Sequence, residues 1–155
     1  MNLNIRVATA DDCPRLLVLI HELAEYERAP QEVTVTLDEF IDAGFGINPI
    51  WKAFVAELDE KIVGFALFYT RYSTWKGNRL YLEDFIVTEE CRGTGIGKIL
   101  FEKVIDESRS GNYNGMVWQV LDWNEPAINF YNKYNAHLES GWLNAGFSKE
   151  QVNQF

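Results

Sequence analysis

A strand that runs straight into a glycine-loaded loop and then a helix constrains this chain more than any other feature. Residues 79–88 alternate as a strand does, which predicts Tyr81, Glu83 and Phe85 on one face and Leu82, Asp84 and Ile86 on the other. Cys91-Arg92-Gly93-Thr94-Gly95-Ile96-Gly97 follows at once. Ile99, Leu100, Lys103, Val104 and Glu107 then mark the turns of a helix from about Gly95 to Ser110. Glycine lets a backbone approach a ligand closely. The first amides of the helix point into the loop, and with the helix dipole they make an anion site. Two familiar phosphate loops are excluded by spacing. Gly93 and Gly97 bracket three residues where the Walker loop needs four, and Lys98 is followed by Ile99 rather than Ser or Thr. Neither reading of the dinucleotide pattern G-x-G-x-x-G closes on a glycine.

The rest of the chain fills in around this unit. Asn4–Ala8 reads as a first strand, Thr9 to Asp12 as N-cap chemistry, and Leu16, Leu17, Ile20, Leu23 and Ala24 as a helix ending near Tyr26. A second short helix is predicted from Leu37 to Ala43, ended by Gly44-Phe45-Gly46. Ala53–Glu57 and Ile62–Arg71 are β-rich runs about a turn, which predicts a hairpin. Met116 to Leu121 reads as a buried strand, Glu125 to Tyr134 as a helix with Pro126 in its first turn, and Leu143 to Ser148 as a last short strand. No repeat or linker interrupts the chain, so residues 1–155 are expected to form one domain. The element order predicts an α/β (α+β mixed) fold, a central mixed sheet with helices on both faces.

Composition narrows the function. With 47% hydrophobic residues the chain can bury a core without disulfides or metals. Cys13 and Cys91 have no pairing signature and read as reduced thiols, and no metal-ligand cluster is visible. His21 and His137 have no evident partner and read as structural. Fourteen basic against 23 acidic residues give a net charge of −9. That balance opposes nucleic-acid binding and suits a cationic substrate. Met1 to Arg6 shows no secretory pattern, and the longest apolar stretches are too short for a bilayer. A cytoplasmic protein without membrane contact is expected.

Arg92-x-x-Gly95-x-Gly97 resembles the pyrophosphate loop of the GNAT superfamily of N-acetyltransferases. Leu80-Tyr81-Leu82-Glu83-Asp84-Phe85-Ile86-Val87 and Trp123-Asn124-Glu125-Pro126-Ala127-Ile128-Asn129-Phe130-Tyr131 are similar to its spermidine/spermine acetyltransferase branch. Tyr72-Ser73-Thr74-Trp75-Lys76-Gly77 looks like the thialysine N-epsilon-acetyltransferase members, where polyamine-acetylating members carry Asp-Pro before the tryptophan. The resemblance implies acetyl-CoA as cosubstrate and a small primary amine, thialysine or a related diamino acid, as acceptor. It implies that Arg92, Gly93, Thr94, Gly95, Ile96, Gly97 and Lys98 hold the pyrophosphate. Phe85, Ile86 and Val87 would hold the pantetheine arm through their backbone, and Asn124 and Ala127 would contact the cofactor as well. Glu83 is implied as the base and Tyr131 as the general acid. Tyr26, Glu27, Trp75, Glu83 and Asp84 are implied on the substrate side. A homodimer is the family expectation.

A lysine-like ammonium is almost wholly protonated at pH 7, so a base is a chemical necessity. Glu83 and Asp84, on opposite faces by alternation, would differ in role. The chain departs from the family at Tyr134-Asn135-Ala136, where a glycine is usual; asparagine tolerates the left-handed conformation needed there. The family's substrate-binding glutamate before Gly141-Trp142 has no clean counterpart, Glu139 being the one candidate. Three alternatives stay open: a diamine or polyamine acetyltransferase, a protein-lysine acetyltransferase, and a non-catalytic acyl-CoA-binding module.

Overall fold

The computed structural model describes residues 1–155. They divide into two compact units, residues 1–119 and 120–155. The first unit is built on one sheet in the order β1 (Leu3–Val7), β2 (Lys52–Leu58), β3 (Lys61–Ser73), β4 (Gly77–Val87), β5 (Met116–Trp118). β1 to β4 pair antiparallel, and β5 joins β4 in parallel. The sheet is mixed, as the element order predicts.

Helices α1 (Cys13–Tyr26) and α2 (Leu37–Phe45) cover one face. Their start signals are local. Thr9 and Asp12 form a capping box before α1, and Thr36 and Glu39 form another at α2. The core beneath them contains Cys13, Leu16, Leu19, Phe40 and Trp51 against Ala53, Val55, Phe65, Leu67 and Ile86 of the sheet. Trp51 stacks on Phe40 at 4.7 Å and fills the space over Gly44, where any Cβ would collide with its ring. Helix α3 (Ile96–Ser110) covers the opposite face. Phe101 meets Phe85 at 5.5 Å and Trp118 at 5.6 Å, while Phe54 packs on Phe68. Both cysteines are free thiols; Cys13 is fully buried, and burial pushes its pKa up to about 11.

The second unit holds α4 (Glu125–Asn132) and the short α5 (Lys149–Val152). Asn135, just past α4, has φ +54°, the left-handed conformation expected where relatives use glycine. Two expectations fail. The strand after α3 is three half-buried residues, not a buried run to Leu121. Residues 143–148 form no strand, because they pair with no ladder; Ser148 instead caps α5 through Gln151 N.

The register of β4 overturns a third. Leu67 pairs with Asp84 and Phe68 with Leu82, so Glu83 is an extra residue, a β-bulge. Cross-strand partners share a face. Asp84 therefore lies with Leu67 on the α1/α2 face, while Phe85, opposite Ala66, turns to Phe101 on the α3 face. Glu83 lies on the same face as Asp84: its carboxylate accepts a hydrogen bond from the hydroxyl of Tyr69, which packs on the α1/α2 core. The alternation that separated Glu83 from Asp84 breaks because the bulge spends two residues against one.

Candidate active site

β4, the loop after it and the start of α3 place two chemically distinct regions side by side in the first unit. The first is acidic. Glu83 is exposed and bonded to Tyr69 Oη at 2.9 Å. Asp84 beside it is half-buried, and burial, then the charges of Glu83 and Glu27, push its pKa up to about 7. Glu27, the C-cap of α1, is itself raised by burial. Three of the expected substrate-side carboxylates are thus brought together by the bulge and by the end of α1. Tyr69, which positions Glu83, was missed at the sequence level. Its bond depends on the bulged register, and nothing in the local sequence marks it.

The second region is the glycine loop. Gly93 has φ +74° and Gly95 φ +90°, conformations that favour glycine. A Cβ added at either would meet nothing within 4 Å, so the loop is open to a ligand. Gly95 is the N-cap of α3, and no side chain caps that helix. Its first amides keep their capacity for an anion. At Gly97 a Cβ would lie 3.7 Å from Phe85 and Val87, so α3 enters close to β4. These features fit a pyrophosphate. β5 pairs only with Leu80 to Leu82, so beyond Leu82 no strand pairs with that edge of β4. The backbone of Phe85, Ile86 and Val87 is on this stretch.

Other expected residues have different partners. Arg92 Nε donates to Val87 O at 2.9 Å, and the guanidinium lies 5.0 Å over the Tyr26 ring and 3.8 Å from Glu22. Its side chain braces the base of the loop, and Tyr26 braces it in turn. Glu22 also accepts from Thr88 Oγ1 and Glu89 N. Thr94 Oγ1 donates to Cys91 O, Ile96 is buried, and Lys98 reaches along the helix to Glu102 at 4.0 Å. Trp75 is 88% exposed at the tip of the β3–β4 hairpin. Glu83 lies six residues beyond Gly77, roughly 20 Å along the strand, so one chain does not bring Trp75 to the acidic group. Ser73 Oγ accepts from Trp75 N and Lys76 N, which uses the hydroxyl to close the turn.

In the second unit Asn124 caps α4, its Oδ1 accepting from Ala127 N at 3.3 Å. Tyr131 lies in α4, buried, with Phe130 at 5.5 Å. Glu139 accepts from Trp142 Nε1 and lies 3.5 Å from His137 Nε2. No group of His, Cys, Asp and Glu has the makings of a metal site.

A mixed sheet covered on both faces, with a bulged acidic strand leading into an open glycine loop and helix, is here the frame of an acyl-transferring enzyme. The chain belongs to the Acetyltransferase (GNAT) family, whose profile it matches over residues 16–136, and it is an N-acetyltransferase. It is 38% identical to a thialysine N-epsilon-acetyltransferase of Bos taurus, over 97% of this chain and 95% of that one. It is 35% identical to the spermidine/spermine N(1)-acetyltransferase-like protein 1 of Homo sapiens over 96% of this chain, which spans 23% of that longer protein. The fold matches the solved structure of an integron cassette protein from V. cholerae with a TM-score of 0.78 at 21% identity, covering 99% of this chain and 97% of that one. No helix is long and apolar enough to cross a membrane.

Proposed function

We propose that this enzyme transfers an acetyl group from acetyl-CoA to the terminal primary amine of a small diamino acid of the thialysine type. The observation that carries the reading is the adjacency, on one strand–loop–helix unit, of the Glu27/Glu83/Asp84 face and the open glycine loop. Acetyl-CoA, when bound, supplies the acetyl group as an activated thioester. The amides at Gly95 to Lys98 would hold its pyrophosphate, and the backbone from Phe85 to Val87 would hold its pantetheine arm. The acidic face attracts and orients an ammonium, and Glu83 accepts its proton, directly or through water. The Tyr69 hydroxyl fixes the rotamer of Glu83 for that step. An amide of the open stretch of β4 donates to the oxygen on which negative charge develops. For the leaving sulfur, the family resemblance offers Tyr131, a residue of the second unit, as proton donor.

Similarity to the bovine thialysine enzyme and the Ser73-Thr74 pair support the amino-acid substrate. The acidic face also suits a polyamine, and the human relative's name favours that second reading. A homodimer is part of the proposal; it would let a tryptophan from one copy approach the acidic face of another. The place of action is proposed as the cytoplasm. Steady-state release of free thiol, with thialysine, lysine, ornithine, putrescine and spermidine compared, tests the reading. Preference for thialysine supports it. Preference for spermidine replaces the substrate but keeps the reaction. Acetyl-CoA binding without turnover of any amine sinks it.

A further inference from the structure

The α1/α2 face of the β3–β4 hairpin is acidic at one end and basic at the other. Leading away from Glu83, Tyr69 and Tyr81 pair across the strands with their rings 5.3 Å apart. The guanidinium of Arg71 then lies 5.3 Å over the Tyr81 ring. Arg71 is directly opposite Arg79 in the ladder. Like charges in that relation destabilise a sheet. Neither arginine has a carboxylate partner among the ion pairs of the structure. Arg79 lies over the Gly115 backbone, where a Cβ would come within 3.2 Å of its Nε, and that Nε is buried without a hydrogen-bond acceptor. Arg71 is exposed. Two guanidiniums opposite each other in the ladder, neither ion-paired to a carboxylate, favour an anion beside the exposed one, Arg71.

We propose that Arg71, with Arg79 behind it, receives the carboxylate of an amino-acid substrate whose terminal amine lies at Glu83 and Asp84. The inference rests on the small-amine reading above and makes Arg71 the residue that separates amino acids from polyamines. Spacing supports it. Arg71 is two residues past Tyr69, about 7 Å along the strand. With the reach of an arginine, that suits the extended chain of a lysine-like molecule, and the two tyrosine rings give its methylenes an apolar wall. A polyamine has no group for Arg71 and would set a cation against it, so the same residue selects against the competing substrate class.

The test compares thialysine with thialysine amide, in which only the carboxylate charge is lost, in wild type, Arg71→Gln and Arg71→Lys. The expected result is a wild-type preference in kcat/KM for the acid of roughly tenfold or more. Arg71→Gln should bring the ratio close to one through KM rather than kcat, and Arg71→Lys should restore part of it. Equal use of acid and amide by wild type overturns the inference and leaves the acetyltransferase reading intact. So does a preference that survives in Arg71→Gln. No turnover of either compound or of any diamine, with acetyl-CoA bound, removes the small-amine reading and this inference with it.

Discussion

At the scale of single residues, the carboxylates of β4 carry the chemistry, and each has a distinct expected signature. Glu83→Gln should lower kcat by on the order of 100-fold with little change in fold, since the side chain is exposed; thiol-release kinetics with a circular dichroism control measure both. Tyr131→Phe should cost a similar factor, read in the same assay. Asp84 makes a pH prediction. Its pKa is raised from 3.8 to about 7 by burial and by the charges of Glu83 and Glu27. The folded protein therefore holds a proton that the unfolded chain gives up between those values. That contribution is complete below pH 3.8 and is lost as pH rises through 7. Asp84→Asn should thus gain stability relative to wild type between pH 5 and pH 8, as thermal melts at the two values would show. Residue types were legible in the sequence, since Glu83 and Asp84 stood out in the otherwise apolar run from Leu80 to Val87. Their shared face was not, because a bulge is a property of the pairing and leaves no mark in one strand's pattern.

At the scale of elements, the glycine loop is an instrument of conformation. Gly95, at φ +90°, should resist replacement: Gly95→Ala should cost about 1–2 kcal/mol in urea denaturation and raise KM for acetyl-CoA more than it lowers kcat. The start of α1 is held differently. Arg6 donates to Asp12 at 2.7 Å and to Glu57 at 2.8 Å, which ties β1 to β2 and to the helix entry. Arg6→Ala should destabilise the fold by about 1–3 kcal/mol. Asp12 is held below its ordinary 3.8, so its contribution is present above that value and fades as pH falls. Elements whose signals are internal to their own sequence were legible: the caps before α1 and α2, the hairpin, and the period of α3. Elements that need a neighbour were not. Residues 119–121 look like strand, yet β4 offers pairing only at Leu80 to Leu82. Residues 143–148 look like strand and have no ladder to join.

At the scale of the whole molecule, charge and assembly are the open levers. A net charge of −9 should draw cationic substrates, so kcat/KM for a polyamine should fall as salt rises from about 50 to 500 mM, more steeply than for a zwitterionic amino acid. Sedimentation velocity should show a homodimer, and its dissociation should reduce turnover. Eleven residues of β4 face ten of β3, Gly64 to Ser73, and the surplus one is Glu83. Removing it altogether would leave every other pair in place and every other side chain on its present face. The proposed base is therefore the one residue the sheet can do without. Deleting a single codon should give a well-folded protein whose turnover falls at least as far as in Glu83→Gln. Read in the opposite direction, inserting one amino acid into a regular strand is a short evolutionary route by which an inert sheet of this kind could acquire a reactive centre.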